Sequence, residues 1–175
     1  MTGVQTCALP ICRVQLEEAE AEALAALCAG SIGRGLGLAD GGGLALYRSL
    51  LEMLSQAPRI DVGRLHGLAD RLARTDAEDA YRATEELLSR FLARMAAGAA
   101  RRDLVRDQIP DQIADRDIVA GEGAAMQALA ARADPARWAE LRGEIERSFA
   151  TARELNLDRK QAVLGAFFAI EETAR

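Results

Sequence analysis

The chain has few residues of the kinds that build β-sheets. Aromatic residues make up 4% of its 175 residues, and the β-branched residues are too scattered to supply several strands. The apolar half of the sequence consists mainly of alanine and leucine, and arginine and glutamate dominate the charged positions. These residues have high helix propensity. We therefore expect an all-α fold, a compact helical bundle.

Residues that bind metals or form disulfides are also scarce. His66 is the single histidine, which excludes sites built on pairs or clusters of histidines. We expect it on a helix, either at the surface or at the boundary between surface and core. Cys7 and Cys12 belong to an atypical N-terminal stretch, and Cys28 is a lone thiol in a helical segment, where it acts as a small hydrophobe. We expect no disulfide, no metal and no cofactor.

No strong basic field and no long apolar run are present. The formal net charge is −5, with 27 acidic and 22 basic residues spread along the chain, which argues against a dedicated nucleic-acid module. No apolar run approaches the roughly 20 residues that span a bilayer, so we expect a cytoplasmic protein with no membrane contact. The acidic pairs Glu85–Glu86 and Glu171–Glu172 are predicted on solvated helix faces, and we assign no catalytic residue.

The first twelve residues, "MTGVQTCALPIC", lack the basic region and continuous apolar core of a signal peptide. The run from Thr2 to Ile11 resembles the translation of a sequencing-library adapter. This resemblance implies that residues 1–12 are a non-native leader and that the chain is a fragment of a longer gene product.

Helical periodicity divides the remainder at a run of glycines. A helix is predicted from Gln15 to Ala29, followed by a short glycine-interrupted helix over residues 31–40. The triplet Gly41–Gly43 is typical of a flexible joint, and we place a domain boundary there. Beyond it, apolar residues recur every three or four positions, and the predicted buried residues are Leu44, Tyr47, Leu50, Leu51, Leu54, Leu65, Leu68, Ala69, Leu72, Tyr81, Thr84, Leu87, Leu88, Phe91, Leu92, Met95, Met126, Leu129, Trp138, Leu141, Ile145, Phe149, Ala152, Val163, Leu164, Phe167, Phe168 and Ile170.

Capping residues mark where several of these helices begin. Asp61 is a predicted N-cap, and Asp134 followed by proline is another. Thr75 and Glu78 have the spacing of a capping box. Either Asn156 or Asp158 caps the last helix. Residues 101–123 are charged and without a sustained period, so we predict a loop or short irregular helices there.

Two polar clusters are candidate sites. In "GSIGRGLG" the Gly-Lys-Ser/Thr ending of a phosphate loop is missing, but Ser31 and Arg34 at a helix start have the groups that bind phosphate; the alternative is a simple helical turn with an exposed arginine. In "NLDRKQ" the residues Asp158, Arg159 and Lys160 either cap and solubilise the last helix or form the rim of a subunit interface.

Several segments together resemble one family. The segments are "EAEALAALCAGSIGRGLGLADGGGLALYRSLLEML", residues Trp138 to Phe149, and "ARELNLDRKQAVLGAFFAIEE". They are similar to the C-terminal part of the delta-prime subunits of bacterial DNA polymerase III, which are clamp-loader components. The likeness covers most of Val14 to Glu172 in the same order and is weakest over residues 101–123.

The resemblance implies a division of the chain. Members of this family have an N-terminal AAA+ domain, a small helical lid and a C-terminal helical collar through which clamp-loader subunits form a ring. Residues 13–43 would be the tail of the lid, and residues 44–175 the collar. Gly30, Ser31 and Arg34 match the sensor-2 motif that approaches nucleotide phosphate in related subunits. Delta-prime subunits are regarded as stators that do not hydrolyse ATP, and the P-loop of the family's N-terminal domain is missing here, so this motif is expected to be vestigial.

The expected function is assembly of the pentameric loader that places the sliding clamp on primed DNA. Its partners would be the gamma/tau and delta subunits, with DNA and the clamp contacted only indirectly. Two alternatives stay open: a stand-alone helical adaptor that binds a partner helix, or a helical ligand-sensing domain with an enclosed apolar pocket. The residues predicted at the interface are Leu157, Arg159, Lys160, Leu164, Phe167 and Phe168.

Overall fold

The computed structural model describes residues 18–28, 42–105 and 117–175. These ranges contain seven α-helices and a single 3₁₀ turn, and no strand. The predicted all-α helical bundle is therefore confirmed. The helices are α1 (Glu18–Cys28), α2 (Gly43–Leu54), α3 (Val62–Leu72), α4 (Glu78–Val105), α5 (Glu122–Ala130), α6 (Pro135–Glu154) and α7 (Arg159–Thr173), and the 3₁₀ turn is Thr75–Ala77.

Helix α4 is the central element of the bundle. It is 28 residues long, and it packs most extensively against α6 and also against α2, α5 and α3. Helix α7 packs in turn on α6 and α3. The predicted apolar stripe of α4 is confirmed, since Tyr81, Thr84, Leu88, Phe91 and Met95 are all buried. Their spacing of three or four residues places them along one side of the helix, where the neighbouring helices cover them.

The apolar stripes predicted for the other helices are buried as well, with one exception. In α7, Val163, Leu164, Phe167 and Ile170 are buried, whereas Phe168 is 43% exposed. Phe168 follows Phe167 directly, and successive helical residues are about 100° apart around the axis. The two phenylalanines therefore face different sides of α7.

Two aspartates begin helices as predicted. The side chain of Asp61 accepts a hydrogen bond of 3.0 Å from the backbone N–H of Arg64 and caps α3. Asp158, rather than Asn156, caps α7 by accepting from the backbone N–H of Lys160 at 2.8 Å. Asp134 precedes α6 and its first-turn proline, also as predicted, but its side chain makes no capping hydrogen bond.

The predicted capping box at Thr75 and Glu78 is wrong. Thr75 begins the 3₁₀ turn, and Glu78 is the first residue of α4 rather than its third, where a capping box would place it. The Glu78 carboxylate instead accepts from the guanidinium of Arg82 at 2.9 Å and pairs with Arg159. Two arginines are stronger partners for a carboxylate than a single backbone N–H, so the local motif does not form.

The prediction of irregular structure from residue 101 onward is also wrong at both ends. Helix α4 continues to Val105, and α5 begins at Glu122. Dense charge is compatible with the exposed side of a long helix, which explains the error at the first end. At the second end, Gly121 and Gly123 flank the first residue of α5. Glycine has a low helix propensity, so the sequence does not indicate that a helix begins there.

Helix α1 is held against the same apolar core as the later helices. Leu24 and Leu27 are buried in it. The guanidinium of Arg90 in α4 donates to the backbone carbonyls of Ala26 and Leu27 at 2.6 and 2.7 Å, which are carbonyls that the end of a helix leaves unpaired. The division between residues 13–43 and 44–175 stays a prediction. Gly42, which precedes the first residue of α2, has a φ of 68°.

Phe167 and Phe168 form a matched pair for substitution by alanine. We expect Phe167→Ala to lower the free energy of unfolding by about 3–5 kcal/mol, because it leaves a cavity in the core. Phe168→Ala removes the same atoms from a partly exposed position, and we expect a loss of less than about 1 kcal/mol. Urea denaturation followed by circular dichroism measures both values, and equal losses would contradict the assignment of the two faces of α7.

Candidate functional site

The surface of α7 is the first candidate site, because the sequence predicts an interface there. Its exposed residues Gln161, Gly165, Phe168 and Glu172 follow one another at steps of four, three and four, which aligns them along one side of the helix. Leu157 is exposed four residues before Gln161. Leu157 lies just before α7, which begins at Arg159, and we call these five residues together the outer stripe of α7.

Phe168 differs from every other aromatic residue of the chain. The chain contains one tryptophan, two tyrosines and four phenylalanines. Trp138, both tyrosines and the other three phenylalanines are at most 2% exposed, whereas Phe168 is 43% exposed. Leu157 is 52% exposed. The outer stripe thus presents an aromatic ring and a leucine to its surroundings in a protein that buries its other aromatic rings.

The six residues predicted at the interface fall into three groups. Leu164 and Phe167 are buried and belong to the core of this chain. Arg159 and Lys160 are partly buried in ion pairs with neighbouring helices. Leu157 and Phe168 are exposed, so the structure does not bring all six onto one surface. An interface on α7 would therefore depend on the last two.

Arg159 and Lys160 attach the start of α7 to two other helices. The guanidinium of Arg159 pairs with Glu78 of α4 and lies over the ring of Tyr81, 5.4 Å from its centroid. Nζ of Lys160 is 2.6 Å from Oδ1 of Asp70 in α3. Hydrogen bonding from Arg82, together with the charge of Arg159, lowers the pKa of Glu78 below its usual value. The two cations therefore position α7 rather than project from it.

The remaining predicted residues have varied positions. Gly30, Ser31 and Arg34 lie outside the described residues. His66 is half-buried, which confirms a boundary position. Glu85 and Glu171 are half-buried rather than fully solvated, and each is paired: Glu85 with Arg153 of α6 at 2.5 Å, and Glu171 with Arg175 at 2.6 Å.

A second candidate is a buried carboxylate that the sequence did not predict. Glu122, the first residue of α5, has no exposed surface. Its carboxylate accepts from the hydroxyl of Tyr47 in α2, from Nη1 of Arg94 in α4 at 2.5 Å, and from the backbone N–H of Ile118 at 2.7 Å. We call this arrangement the Glu122 centre. It joins three helices and the turn before α5.

The electrostatics of the Glu122 centre favour one arrangement of protons. Burial, together with the hydrogen bond and the charge of Glu122, raises the pKa of Tyr47 far above its usual value, although Arg94 and Arg90 oppose this shift. Tyr47 therefore stays protonated and donates its hydrogen bond. The carboxylate has no exposed surface and the side chain of Arg94 is mostly buried, so their ion pair offsets part of the cost of removing the carboxylate from water.

A second carboxylate closes the turn next to the centre. Asp117 accepts from the backbone N–H groups of Gly121 and Gly123 at 3.1 and 2.8 Å. Gly121 has a φ of 87°, and a Cβ at Gly123 would lie 2.6 Å from Oδ1 of Asp117. Both glycines are thus required by geometry. In the sequence, Asp117 followed by Gly121 and Gly123 is a local pattern that favours this turn.

A shallow groove of about 700 Å³ runs between α4 and α6. Its polar network includes Ser89, which donates to Glu146 and accepts from Nε of Arg142 at 2.9 Å. The groove is open and its charges balance, so it differs from the enclosed apolar pocket expected of a ligand sensor. Its lining residues are Arg82, Glu85, Glu86, Ser89, Glu146, Arg147, Ala150 and Arg153.

No family model, curated protein or solved structure matches this chain. Across residues 18–28, 42–105 and 117–175, no group of histidine, cysteine, aspartate and glutamate side chains is placed to hold a metal ion. Within the same part of the chain, no helix combines the length and the apolar character needed to cross a membrane. Functional inference therefore depends on the two candidate sites and on the sequence resemblance.

Removal of the Glu122 carboxylate tests the importance of the buried centre. We expect Glu122→Ala to lower the free energy of unfolding by about 3–5 kcal/mol, because the buried hydroxyl of Tyr47 and the backbone N–H of Ile118 lose their acceptor and Arg94 loses one of its charge partners. The control is Glu52→Ala, which removes an exposed carboxylate 3.7 Å from Nη1 of Arg64 and should cost less than about 1 kcal/mol. Urea denaturation measures both, and similar losses would show that the centre contributes no more than a surface pair.

The raised pKa values of the two tyrosines predict a loss of stability at alkaline pH. Burial raises the pKa of Tyr81 to about 12, and the pKa of Tyr47 is also raised. Unfolded tyrosine ionises near pH 10, so stability should be lost as the pH rises above that value, because only the unfolded chain releases these protons. Absorbance at the tyrosinate band should show no ionisation of the folded protein near the usual pKa. A reversible step there, with the circular dichroism unchanged, would contradict the burial of these hydroxyls.

Proposed function

We propose that this chain is a fragment of a clamp-loader subunit of the delta-prime kind and that it acts in assembly. Residues 44–175 would be the collar and residues 13–43 the tail of the lid. The gamma/tau and delta subunits would bind through the collar, and DNA and the sliding clamp would be contacted only through the assembled loader. The proposal is supported by the sequence resemblance and by the outer stripe of α7.

The exposure of Phe168 is the observation that carries the proposal. This chain buries each of its other aromatic rings, yet Phe168 is 43% exposed on a regular helix. Aromatic residues supply much of the binding energy at protein interfaces because they bury a large area at a small entropic cost. Leu157, which is 52% exposed just before the start of α7, adds a second apolar side chain to the outer stripe. A partner helix lying along α7 would cover both residues.

The ion pairs at the start of α7 prepare this surface for binding. Lys160 is paired with Asp70 of α3, and Arg159 with Glu78 of α4, so the helix is fixed on two neighbours before any partner arrives. A preorganised surface loses less conformational entropy on association. In this proposal the fragment contributes geometry: it holds one position in the ring while ATP is hydrolysed on neighbouring subunits.

The stand-alone adaptor is the second candidate function, and the same outer stripe favours it. Both functions require a partner at Phe168 and Leu157, and they differ in which partner binds. The resemblance of the last two helical segments to delta-prime subunits favours the clamp loader. Binding to defined clamp-loader subunits separates the two functions.

The test mixes the full chain with gamma/tau and delta subunits and measures the complex by size-exclusion chromatography with light scattering. We expect a mixed complex, and we expect Phe168→Asp to weaken it at least about 30-fold, because a charge replaces a buried aromatic anchor. Ala128→Asp is the matched control. It places the same charge at an exposed position of α5, whose main packing partners are α4 and α2, and should leave the affinity within about twofold.

Three outcomes would contradict parts of the proposal. A folded wild-type chain that binds neither subunit would overturn the clamp-loader assignment and leave the adaptor. Equal weakening by Phe168→Asp and Ala128→Asp would show that the outer stripe is not the interface. Loss of helical circular dichroism in Phe168→Asp would assign Phe168 to the fold, in which case Leu157→Asp provides the test of the interface.

A further inference from the structure

Gly165 is a residue of α7 that the fold of this chain does not explain. The helix runs from Arg159 to Thr173, so Gly165 lies in its interior, where glycine is less favourable than alanine because it loses more conformational entropy. A Cβ at this position would meet no atom within 4 Å. The core of this chain therefore gives no reason for a residue without a side chain at this position.

Gly165 lies one turn from Phe168 in the outer stripe. Residues three apart share one side of a helix, and Phe168 is 43% exposed. Gly67 of α3 and Gly98 of α4 also have open space where a Cβ would be, but neither has an exposed aromatic residue one turn away. A glycine beside an exposed ring leaves a notch on the surface of α7. The axes of two helices approach more closely where the side chains at their contact are small.

The exposed charges of the outer stripe and of the start of α7 are negative. The cations of residues 155–175 are Arg159, Lys160 and Arg175, and each is in an ion pair. Glu172 is exposed, and among residues 18–28, 42–105 and 117–175 no cation pairs with it. Asp158 is exposed and accepts from a backbone N–H.

Asp158 and Glu172 lie at the two ends of the outer stripe. Each is seven residues from Gly165, which corresponds to about 10 Å in either direction at 1.5 Å per residue. Gln161 and Phe168, which flank Gly165 in the stripe, carry no charge. A partner that covers the stripe therefore meets an uncharged middle with a notch, and a carboxylate at each end.

We propose that the outer stripe binds a helix of a clamp-loader subunit that crosses α7 closely at Gly165 and carries lysine or arginine near Asp158 and Glu172. This inference rests on the proposed function, in which a partner helix lies along α7. The notch brings the backbone of the partner close enough for its side chains to surround the ring of Phe168, and a side chain at position 165 would hold it away. The two carboxylates select a basic partner and steer its approach.

Gly165→Ala tests the close crossing, because its expected effects on the fold and on binding are opposite. We expect the urea midpoint of the full chain to rise, since alanine favours a helix and its methyl group meets open space. We expect the same variant to weaken binding to gamma/tau or delta about fivefold or more, since the methyl group takes space that the partner occupies. Isothermal titration calorimetry measures the affinity.

Gly98→Ala is the matched control for this substitution. Gly98 also lies within a helix, and a Cβ there would meet no atom within 4 Å. It belongs to the second half of α4, whereas α7 packs mainly on α6 and α3. We expect Gly98→Ala to leave the affinity within about twofold. Wild-type affinity in Gly165→Ala, or equal weakening by both substitutions, would overturn the close crossing.

Glu172→Lys tests the charge of the partner, and Glu22→Lys makes the same change at an exposed position of α1. We expect Glu172→Lys to weaken binding about fivefold at low salt, with a smaller difference at high salt, where the charges are screened. Glu22→Lys should change the affinity less than about twofold. Unchanged or tighter binding by Glu172→Lys would refute a basic partner.

The wild-type chain separates failure of this inference from failure of the proposed function. A folded wild-type chain that binds neither subunit would overturn the clamp-loader assignment, and the partner proposed for the stripe would be refuted with it. A wild-type complex that Phe168→Asp weakens and Gly165→Ala does not would leave the proposed function standing and refute the close crossing alone.

Discussion

The packing of α4 against α6 is the contact on which the rest of the bundle depends. Helix α4 contacts α2, α3, α5 and α6, and α7 reaches it mainly through its packing on α6 and α3. Tyr81 of α4 and Phe149 of α6 stack at this contact with their ring centroids 5.0 Å apart. In a chain with so few aromatic residues, the placement of each ring has large consequences for the core, and this pair sits where the two longest helices meet.

Ion pairs between helices restrict the orientations in which the helices can pack through their apolar faces. Glu85 with Arg153 links α4 to α6, Glu78 with Arg159 links α4 to α7, and Asp70 with Lys160 links α3 to α7. Partly exposed pairs such as these contribute little free energy. Their partners must nevertheless be adjacent for the charges to be satisfied, so they disfavour packing in which a helix is rotated or shifted. The polar residues thus help to select one arrangement among those that the apolar stripes allow.

How much the sequence predicts depends on how far apart the interacting residues are. The apolar stripes and the caps at Asp61 and Asp158 are local patterns, and the structure confirms them. The capping box at Thr75 and Glu78 fails because Arg159, distant in sequence, takes the carboxylate. Glu122 was missed because its partners Tyr47 and Arg94 are 75 and 28 residues away. Phe167 and Phe168 are both apolar at neighbouring positions, and only the packing of α7 shows which one is exposed.

The two candidate sites contact different parts of α4. Near its start, Glu78 and Tyr81 contact Arg159 and so fix the helix that carries the outer stripe. Farther along, Arg94 pairs with Glu122 of α5. Tyr81 and Arg94 are about 20 Å apart along the helix axis, at 1.5 Å per residue. Helix α7 packs mainly on α6 and α3, and α5 packs on α4 and α2, so the two sites rest on largely different helices.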